Sequence, residues 1–336
     1  MKRILKLIFV FAIILIAVGC GKDDKKTVLN KFDKKVNNTN GYQVEAEMEL
    51  INNDDSYKYD VTVSYKKNDN YRVSLRNRIN NHEQIILKNK DGVYVLSPNL
   101  NKSFKFQSRW PYDNSQSYLI GSVLNDLKND PNTSMKKINN NYVFKSTVNY
   151  KNNSNLKYQK VIVDKNYNIK EVIVYDNEDK KQIIVKYNIV DMKAKFNDNY
   201  FDLDENMNSN ISDEEEEDKD TINELESAIY PMYLPDGTYL DTEKTVKKDN
   251  GSRIILTFSG TSPFMLIEEN AVRENEMTTV PTSGDIDLFA SGIMIIDDTS
   301  VSFINDNIEY YLVSSEISSN ELINVAKSMY VMPVSK

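Results

Sequence analysis

The 336-residue chain has almost no cysteine and almost no histidine, since each occurs once, as Cys20 and His82. A lone cysteine cannot form a disulfide within the chain, so the stability of the fold must come from packing. A lone histidine excludes metal sites that need several histidines, and it argues against Ser-His-Asp and Cys-His nucleophiles. Because polar residues flank His82, we expect it in a surface turn.

Glycine is also scarce, with 10 residues spread over the chain, and none of them belongs to a phosphate-binding loop. Acidic pairs occur at Glu268-Glu269 and Asp297-Asp298. Neighbours along a strand point to opposite faces, so these pairs do not form acid–base dyads, and we expect them to be surface charge. The sequence therefore predicts a protein that is not an enzyme, with no metal site and no cofactor.

No apolar run is long enough for a permanent transmembrane helix, which needs about 20 residues. The longest run spans residues 7–18 and follows the basic residues Lys2, Arg3 and Lys6. A positive start followed by a short apolar run is typical of a secretory signal peptide. The sequence therefore places the rest of the chain outside the cytoplasm.

The residues that follow, Ala17-Val18-Gly19-Cys20, resemble a bacterial lipobox in which alanine replaces the usual leucine. The resemblance implies cleavage before Cys20 and attachment of lipid to it. We therefore expect a signal peptide at 1–19, a lipidated tether at 20–27 and a partner in the cell membrane. An uncleaved anchor helix with an unmodified cysteine is the alternative.

Charge divides the chain, whose net charge is -8. Residues 21–205 hold 31 basic and 25 acidic side chains, residues 206–220 hold 1 and 7, and residues 221–336 hold 7 and 18. The acidic run is too poor in apolar residues to fold, so it predicts a linker at 206–220 between domains at 28–205 and 221–336. Opposite charges should draw these domains together at low salt and release them at high salt.

Apolar and polar residues alternate repeatedly in the first domain, which predicts half-buried antiparallel strands. Asp91-Gly92 predicts a hairpin, and helical spacing predicts helices at 27–36 and 114–127, the second capped by Asn114 or Ser115. The predicted strands span 42–50, 57–65, 71–76, 84–88, 93–96, 104–106, 142–148, 157–164, 169–175 and 182–190.

Shorter strands and two capping boxes mark the second domain. The boxes pair Thr221 with Glu224 and Ser318 with Glu321, and the latter opens a final helix that extends to Met329. The predicted strands span 253–258, 264–268, 286–289, 293–297, 301–304 and 308–313.

Residues 97–104, Trp110-Pro111 and residues 115–119 carry a resemblance to sporulation and germination lipoproteins of spore-forming Firmicutes, of the YdcC and GerS types. More broadly, residues 1–204 resemble the superfamily of LolA, LolB and RseB. The resemblance implies an α+β fold in which a curved, incompletely closed antiparallel sheet carries a helical lid over an apolar pocket. The second half is similar to the smaller α+β C-terminal domain of YdcC-type lipoproteins, at 258–260, 309–312 and 321–329.

The implied pocket selects candidate residues for binding a partner or a lipid. The alternative is that the same side chains simply form a closed core. The candidates lie on the first three long strands and around the single tryptophan: Tyr42, Val44, Met48, Tyr59, Val61, Val63, Tyr71, Val73, Trp110, Tyr112, Tyr118 and Leu119.

Trp110 interrupts the strand series and is followed by Pro111, so its segment should lie outside the sheet. Two roles remain open for it. It is either an anchor on an exposed rim or a plug that closes the apolar face of the sheet.

The predicted export signal and the resemblance together imply two candidate functions. The first is a membrane-anchored, extracytoplasmic, non-catalytic lipoprotein that binds a protein partner in the spore or cell envelope, in the space between forespore and mother cell if sporulation-specific. The alternative is binding of lipid or lipoprotein acyl chains in the pocket. Export argues against nucleic acid as a partner.

Overall fold

The computed structural model describes residues 24–52, 55–208, 225, 227–248, 251–289, 292–305 and 307–329. The predicted signal peptide, Cys20, residues 213–218 and the box from Thr221 to Glu224 lie outside the described residues. The described helices are α1 (Lys25–Asn37), α2 (Ile120–Asn129), α3 (Leu203–Asn208) and α4 (Ser319–Ser328). None of them is long and apolar enough to cross a membrane.

The first half of the chain forms most of a large sheet. Its order is β15-β6-β5-β4-β3-β2-β1-β11-β10-β9-β8-β7, so β15 and β7 are its two edges and the sheet is not closed on itself. The strands from this half are β1 (Gly41–Asn52), β2 (Asp55–Lys66), β3 (Asn70–Asn77), β4 (Glu83–Asn89), β5 (Gly92–Ser97), β6 (Lys102–Phe106), β7 (Ser134–Ile138), β8 (Asn141–Thr147), β9 (Leu156–Val163), β10 (Ile169–Asp176) and β11 (Lys181–Asp191).

The second half forms a smaller sheet with the order β12-β13-β14-β19-β18-β17-β16. Its strand β15 does not join this sheet but pairs at the edge of the first one. Helix α4 packs on this second sheet beside β18 and β19. The strands are β12 (Thr238–Lys248), β13 (Gly251–Gly260), β14 (Phe264–Asn270), β15 (Thr278–Thr282), β16 (Asp285–Phe289), β17 (Gly292–Ile296), β18 (Ser300–Asn305) and β19 (Ile308–Val313).

Alternation along the strands produces two different faces of the first sheet. On β1, Val44, Met48 and Leu50 are buried on the side that α1 and α2 cover, whereas Glu45 and Glu47 point the other way. We call the covered side the inner face and the opposite side the outer face. The predicted fold class is confirmed, because two sheets with few helices form the molecule and the first sheet is open.

The helix predicted at 114–127 begins only at Ile120. Asn114 and Ser115 do not cap it, because they bind the loop between β8 and β9 instead. Asn114 Oδ1 accepts the backbone N–H of Lys151 at 3.0 Å, and Ser115 Oγ accepts that of Asn149 at 2.8 Å. The predicted cap is therefore wrong, since a non-local loop competes for the same side chains.

The predicted hairpin at Asp91-Gly92 and the predicted helix cap at Ser318 are confirmed. Asp91-Gly92 joins β4 to β5, with Gly92 at a φ of 143°. Ser318 caps α4 by accepting the backbone N–H of Glu321 at 3.2 Å. Strands β7, β12 and β15 were not predicted, because they are short or strongly exposed and carry little apolar alternation.

The two halves are joined through the strand β15, which pairs with β6 in parallel and sets Val280 opposite Phe104. Pro281 is tolerated in β15 because an edge strand has one unpaired side. The backbone N–H of Ile293 also donates to Gln84 Oε1 at 2.9 Å. We call this contact region between the halves the seam. One buried apolar cluster continues across it.

The contacts across the seam change the expectation that the two halves separate at high salt. The exact boundaries of the halves stay predictions. Among the described residues, Lys102 and Glu309 form an ion pair across the seam at 2.7 Å. Strand pairing, apolar packing and hydrogen bonds, such as those from the Arg273 guanidinium to the carbonyls of Pro98 and Asn99 at 3.2 Å, make the rest of the described contact. Moderate salt does little to weaken strand pairing or apolar packing. We therefore expect the two halves to stay together at high salt, contrary to the expectation from charge alone.

Small-angle scattering tests this expectation. The radius of gyration should stay constant between about 0.1 M and about 1 M NaCl, over which the Debye length falls from ~10 to ~3 Å. A Lys102→Ala variant should give the same curve, because it removes only the ion pair. An increase in radius with salt would show that charge attraction holds the halves together.

Candidate functional site

Eleven of the twelve candidate residues lie in a closed core. Each of these eleven is 8% exposed or less, whereas Tyr112 is 57% exposed. The buried ones occupy the inner face of β1–β3 and the segment before α2: Tyr42, Val44, Met48, Tyr59, Val61, Val63, Tyr71, Val73, Trp110, Tyr118 and Leu119. Their role in binding stays a prediction, and their packing favours the alternative of a core.

Helices α1 and α2 fill the space that the resemblance assigned to a pocket. Phe32 of α1 is 1% exposed and Leu127 of α2 is 1% exposed, and both belong to the same apolar cluster as Val44 and Val63. Apolar spacing on each helix places these side chains on one stripe, which faces the sheet. The inner face is therefore covered by the chain itself.

Two small cavities lie at the seam. One has a volume of about 60 Å³ and is lined by Tyr59, His82 and Gln84 of the first half and by Ile304 and Asn307 of the second. The other has a volume of about 10 Å³ and lies between β17–β18 and β5–β6. Pockets for drug-sized ligands measure roughly 300–1,000 Å³, so neither cavity holds a long acyl chain.

Trp110 closes one end of the inner face as part of an aromatic series. Tyr42 and Tyr65 stack with ring centroids 5.0 Å apart, Tyr65 and Tyr71 lie 4.9 Å apart, and Trp110 meets Tyr71 edge-on at 5.7 Å. The peptide bond from Trp110 to Pro111 is cis, and the segment lies outside the strands. The indole is 4% exposed, which corresponds to a plug and not to an exposed anchor.

Tyr112 and Arg109 form an exposed rim beside this plug. The Tyr112 hydroxyl donates to Asp69, and Lys88 Nζ lies 2.7 Å from Asp69 Oδ2 and 4.5 Å from the Tyr112 ring centroid. Lys88 also donates to the Trp110 carbonyl at 2.7 Å. Desolvation and the Asp69 carboxylate raise the pKa of Tyr112 to about 12, so the tyrosine is neutral at physiological pH. The rim is thus an oriented aromatic ring beside a guanidinium that is largely exposed.

Buried ionisable groups lie at the seam. Burial raises the pKa of Asp287 to about 6 and lowers the pKa of Lys327 to about 8. Asp287 Oδ1 accepts the backbone N–H of Leu288 at 2.9 Å, while Asn152 and Asn114 oppose the rise in pKa. Asp287 Oδ2 has no full hydrogen bond within the described residues. Sequence reasoning missed Asp287, although it shares a short strand with the apolar Ile286 and Phe289.

The prediction that Glu268 is surface charge is wrong, because Glu268 is 0% exposed. Its carboxylate accepts the backbone N–H of Ile229 at 3.1 and 3.0 Å. Burial is the main cause that raises its pKa to about 7. Glu268 shares the inward side of β14 with Phe264 and Leu266, which places it in the core of the second sheet.

Among the described residues there is no cluster of three or more histidine, cysteine, aspartate or glutamate side chains that could hold a metal ion. Trp110 Nε1 is the other buried side-chain polar atom there without a full hydrogen bond, and it approaches Tyr118. These groups offer packing and charge, and they bring no nucleophile and base together.

Comparison with known proteins gives matches over most of the chain. The family model described as sporulation protein YdcC-like matches residues 1–201. Sporulation protein YdcC of Bacillus subtilis (strain 168) is 31% identical over 319 residues, which cover 94% of this chain and 93% of that protein.

Solved structures also match. A LolA superfamily protein from Nitrosomonas europaea is 13% identical with a TM-score of 0.32, covering 53% of this chain and 97% of that one. One chain in the structure of the CwlD amidase from Clostridioides difficile in complex with the GerS lipoprotein is 19% identical with a TM-score of 0.23, covering 52% and 96%.

The plug role of Trp110 makes a prediction about stability. Trp110→Ala should lower the free energy of unfolding by about 3–5 kcal/mol, because it empties a packed site. Tyr112→Ala should cost only about 1 kcal/mol, the net worth of a hydrogen bond near the surface. Urea denaturation measures both values. Equal, small losses in the two variants would mean that Trp110 does not support the core.

Burial of Glu268 makes a prediction about pH. Between about pH 4.5 and 7 the unfolded chain releases the Glu268 proton while the folded chain retains it, so the free energy of unfolding falls as pH rises. Asp287 acts in the same direction up to about pH 6. Glu268→Gln should therefore reduce the fall measured by urea denaturation across this range. The exposed control Glu276→Gln should retain it, and equal slopes in wild type and Glu268→Gln would contradict the assignment.

Proposed function

The chain belongs to the sporulation protein YdcC-like family, and on that premise we propose that it is an extracytoplasmic lipoprotein that binds a protein partner at a membrane surface. Lipid on Cys20 anchors it, and the partner belongs to the spore or cell envelope. During sporulation this surface faces the space between forespore and mother cell. The protein itself catalyses no reaction.

The observation that carries the proposal is the filled inner face of the first sheet. A lipid carrier needs an apolar space that opens to receive an acyl chain. Here the side chains that would line that space, such as Val44 and Val63, are 0% exposed and belong to one buried apolar cluster with residues of α1 and α2. Emptying that space would cost the burial of many apolar groups, each worth roughly 1.5–3 kcal/mol. This supports protein binding over the lipid-binding alternative.

The rim of Tyr112 and Arg109 supports the same proposal. Tyrosine and arginine are enriched among the residues that dominate protein interfaces. Lys88 and Asp69 fix the Tyr112 ring, so little side-chain freedom is lost when a partner binds. The rim lies on a segment outside the strands, where an approaching protein can reach it.

Native mass spectrometry of the protein purified from its own host tests the proposal. Wild type should carry a covalent diacylglyceryl group and a co-purifying polypeptide after detergent is removed. Cys20→Ala should be recovered from the soluble fraction without bound lipid. Tyr112→Ala should lose the polypeptide, because its rim lacks the oriented ring.

Tyr239→Ala is the matched control, since Tyr239 is 59% exposed and lies on β12, an edge strand of the second sheet. It should retain the polypeptide. A non-covalent lipid retained by Cys20→Ala would support the lipid-binding alternative. Persistence of Cys20→Ala in the membrane fraction would support an uncleaved anchor helix.

A further inference from the structure

The outer face of β7–β10 combines lysines with apolar side chains. Lys136, Lys145 and Lys160 lie on it, as do Ile162 and Ile173, which are half-exposed. Most of the intervening residues of β8–β10 are buried and belong to the apolar cluster of the inner face, whereas Met135 and Lys137 of β7 stay partly or fully exposed. We call this surface the basic face.

The three lysines are not neutralised within the described part of the chain. Lys145 Nζ lies 3.7 Å from the ring centroid of Tyr158, and Lys160 Nζ lies 4.8 Å from that of Tyr175. The two rings stack at 4.8 Å and support the lysine stems above the sheet. Glu171 is the one acidic residue at the outward positions of these four described strands. The basic face therefore keeps a net positive charge.

The basic face ends where the outer face changes character. Glu45, Glu47 and Glu49 of β1 project outward next to β11. Farther across, Phe201 and Met207 cover the outer face of β4 and β5. Lysines and uncovered apolar side chains thus occur together on one part of the sheet, toward its β7 edge.

The start of α1 lies beside this edge. Lys25 Nζ at the start of α1 donates to the carbonyl of Thr133 at 2.7 Å, and Thr133 directly precedes β7. Asp24 follows Cys20 by four residues, which span at most ~14 Å when fully extended. A bilayer that holds lipid on Cys20 is therefore close to β7. This step rests on the anchoring part of the proposed function.

We propose that the basic face binds the headgroups of anionic phospholipids and holds the first sheet against the bilayer. Each lysine near an anionic membrane contributes about 1 kcal/mol, and the long lysine stems lie over apolar surface while their charges reach the phosphates. Residues 221–336, with 7 basic and 18 acidic side chains, are repelled by the same membrane. The opposite signs of the two halves therefore orient the molecule.

Vesicle sedimentation tests the basic face without the lipid anchor. The probe is the mature chain carrying Cys20→Ala, mixed with vesicles of phosphatidylglycerol and phosphatidylcholine or of phosphatidylcholine alone. It should bind the anionic vesicles, release them at high salt and ignore the neutral ones. Combining Lys136→Gln, Lys145→Gln and Lys160→Gln should weaken binding roughly 100-fold.

The matched control combines Lys67→Gln, Lys90→Gln and Lys244→Gln, which removes the same charge from exposed positions elsewhere. It should bind anionic vesicles like the parent chain. Equal losses in the two triple variants would mean that net charge alone drives binding and would overturn the site. Failure of the parent chain to bind would also overturn it, while lipid attachment to Cys20 in cells would leave the proposed anchor standing.

A fluorophore provides a second measurement that does not depend on the lysine variants. Removal of Cys20 leaves the chain without cysteine, so Ile138→Cys introduces a unique labelling site at the β7 edge, where the native side chain is 50% exposed. Its emission should shift to the blue with anionic vesicles. A label at Tyr239→Cys should not respond. A response at Tyr239→Cys alone would place the membrane at the second sheet and refute the proposal. A third outcome would also overturn the proposal. The vesicles would then neither bind the chain nor shift the emission of either label, while the triple variant of Lys136, Lys145 and Lys160 would lose its function in the host. That result would mean that the basic face binds an acidic protein instead.

Discussion

The need to bury the inner face of the first sheet is the constraint on which the rest of the structure depends. Twelve strands spaced about 4.8 Å apart make a sheet more than ~50 Å wide. Helix α1 has 13 residues and α2 has 10, so at 1.5 Å per residue they are roughly 20 and 15 Å long. Two such helices cannot cover the whole face. The second half therefore packs against what they leave open, and one apolar cluster runs through both halves.

Polar groups at the seam give that packing a definite orientation. Asp287 is buried with a raised pKa, and Gln84 accepts the backbone N–H of Ile293 across the seam. Burying such groups costs desolvation free energy, and the hydrogen bond that compensates Gln84 forms only when the halves are correctly aligned. Apolar contact makes the association favourable, and strand pairing between β15 and β6 fixes its register.

Local patterns predicted the parts of the fold in which neighbouring residues decide the outcome. The alternation of Tyr42, Val44 and Met48 with glutamates is enough to define β1 and its buried side. Ser318 is enough to start α4. Non-local competition decided the rest. The Ser115 hydroxyl accepts a hydrogen bond from Asn149 instead of capping α2. Pro281 lies in a sheet because its strand pairs with the distant β6. Glu268 lies on the inward side of β14, where the backbone N–H of Ile229 donates to it. Candidate pocket residues were likewise found by pattern, but whether they line space or fill it depends on how α1, α2 and the second half close over them.

A filled core moves any binding to the surface, and the arrangement of strands separates two surfaces. The rim of Tyr112 contacts Lys88 on β4, whereas Lys160 of the basic face lies on β9. Six strand spacings lie between β4 and β9 in the sheet order, which amounts to roughly 29 Å. That distance exceeds the Debye length of ~8 Å at physiological salt, so the charges at one surface have little effect on the other. A bilayer on the basic face consequently leaves the rim free, and one rigid sheet is able to meet a membrane and a protein partner at the same time.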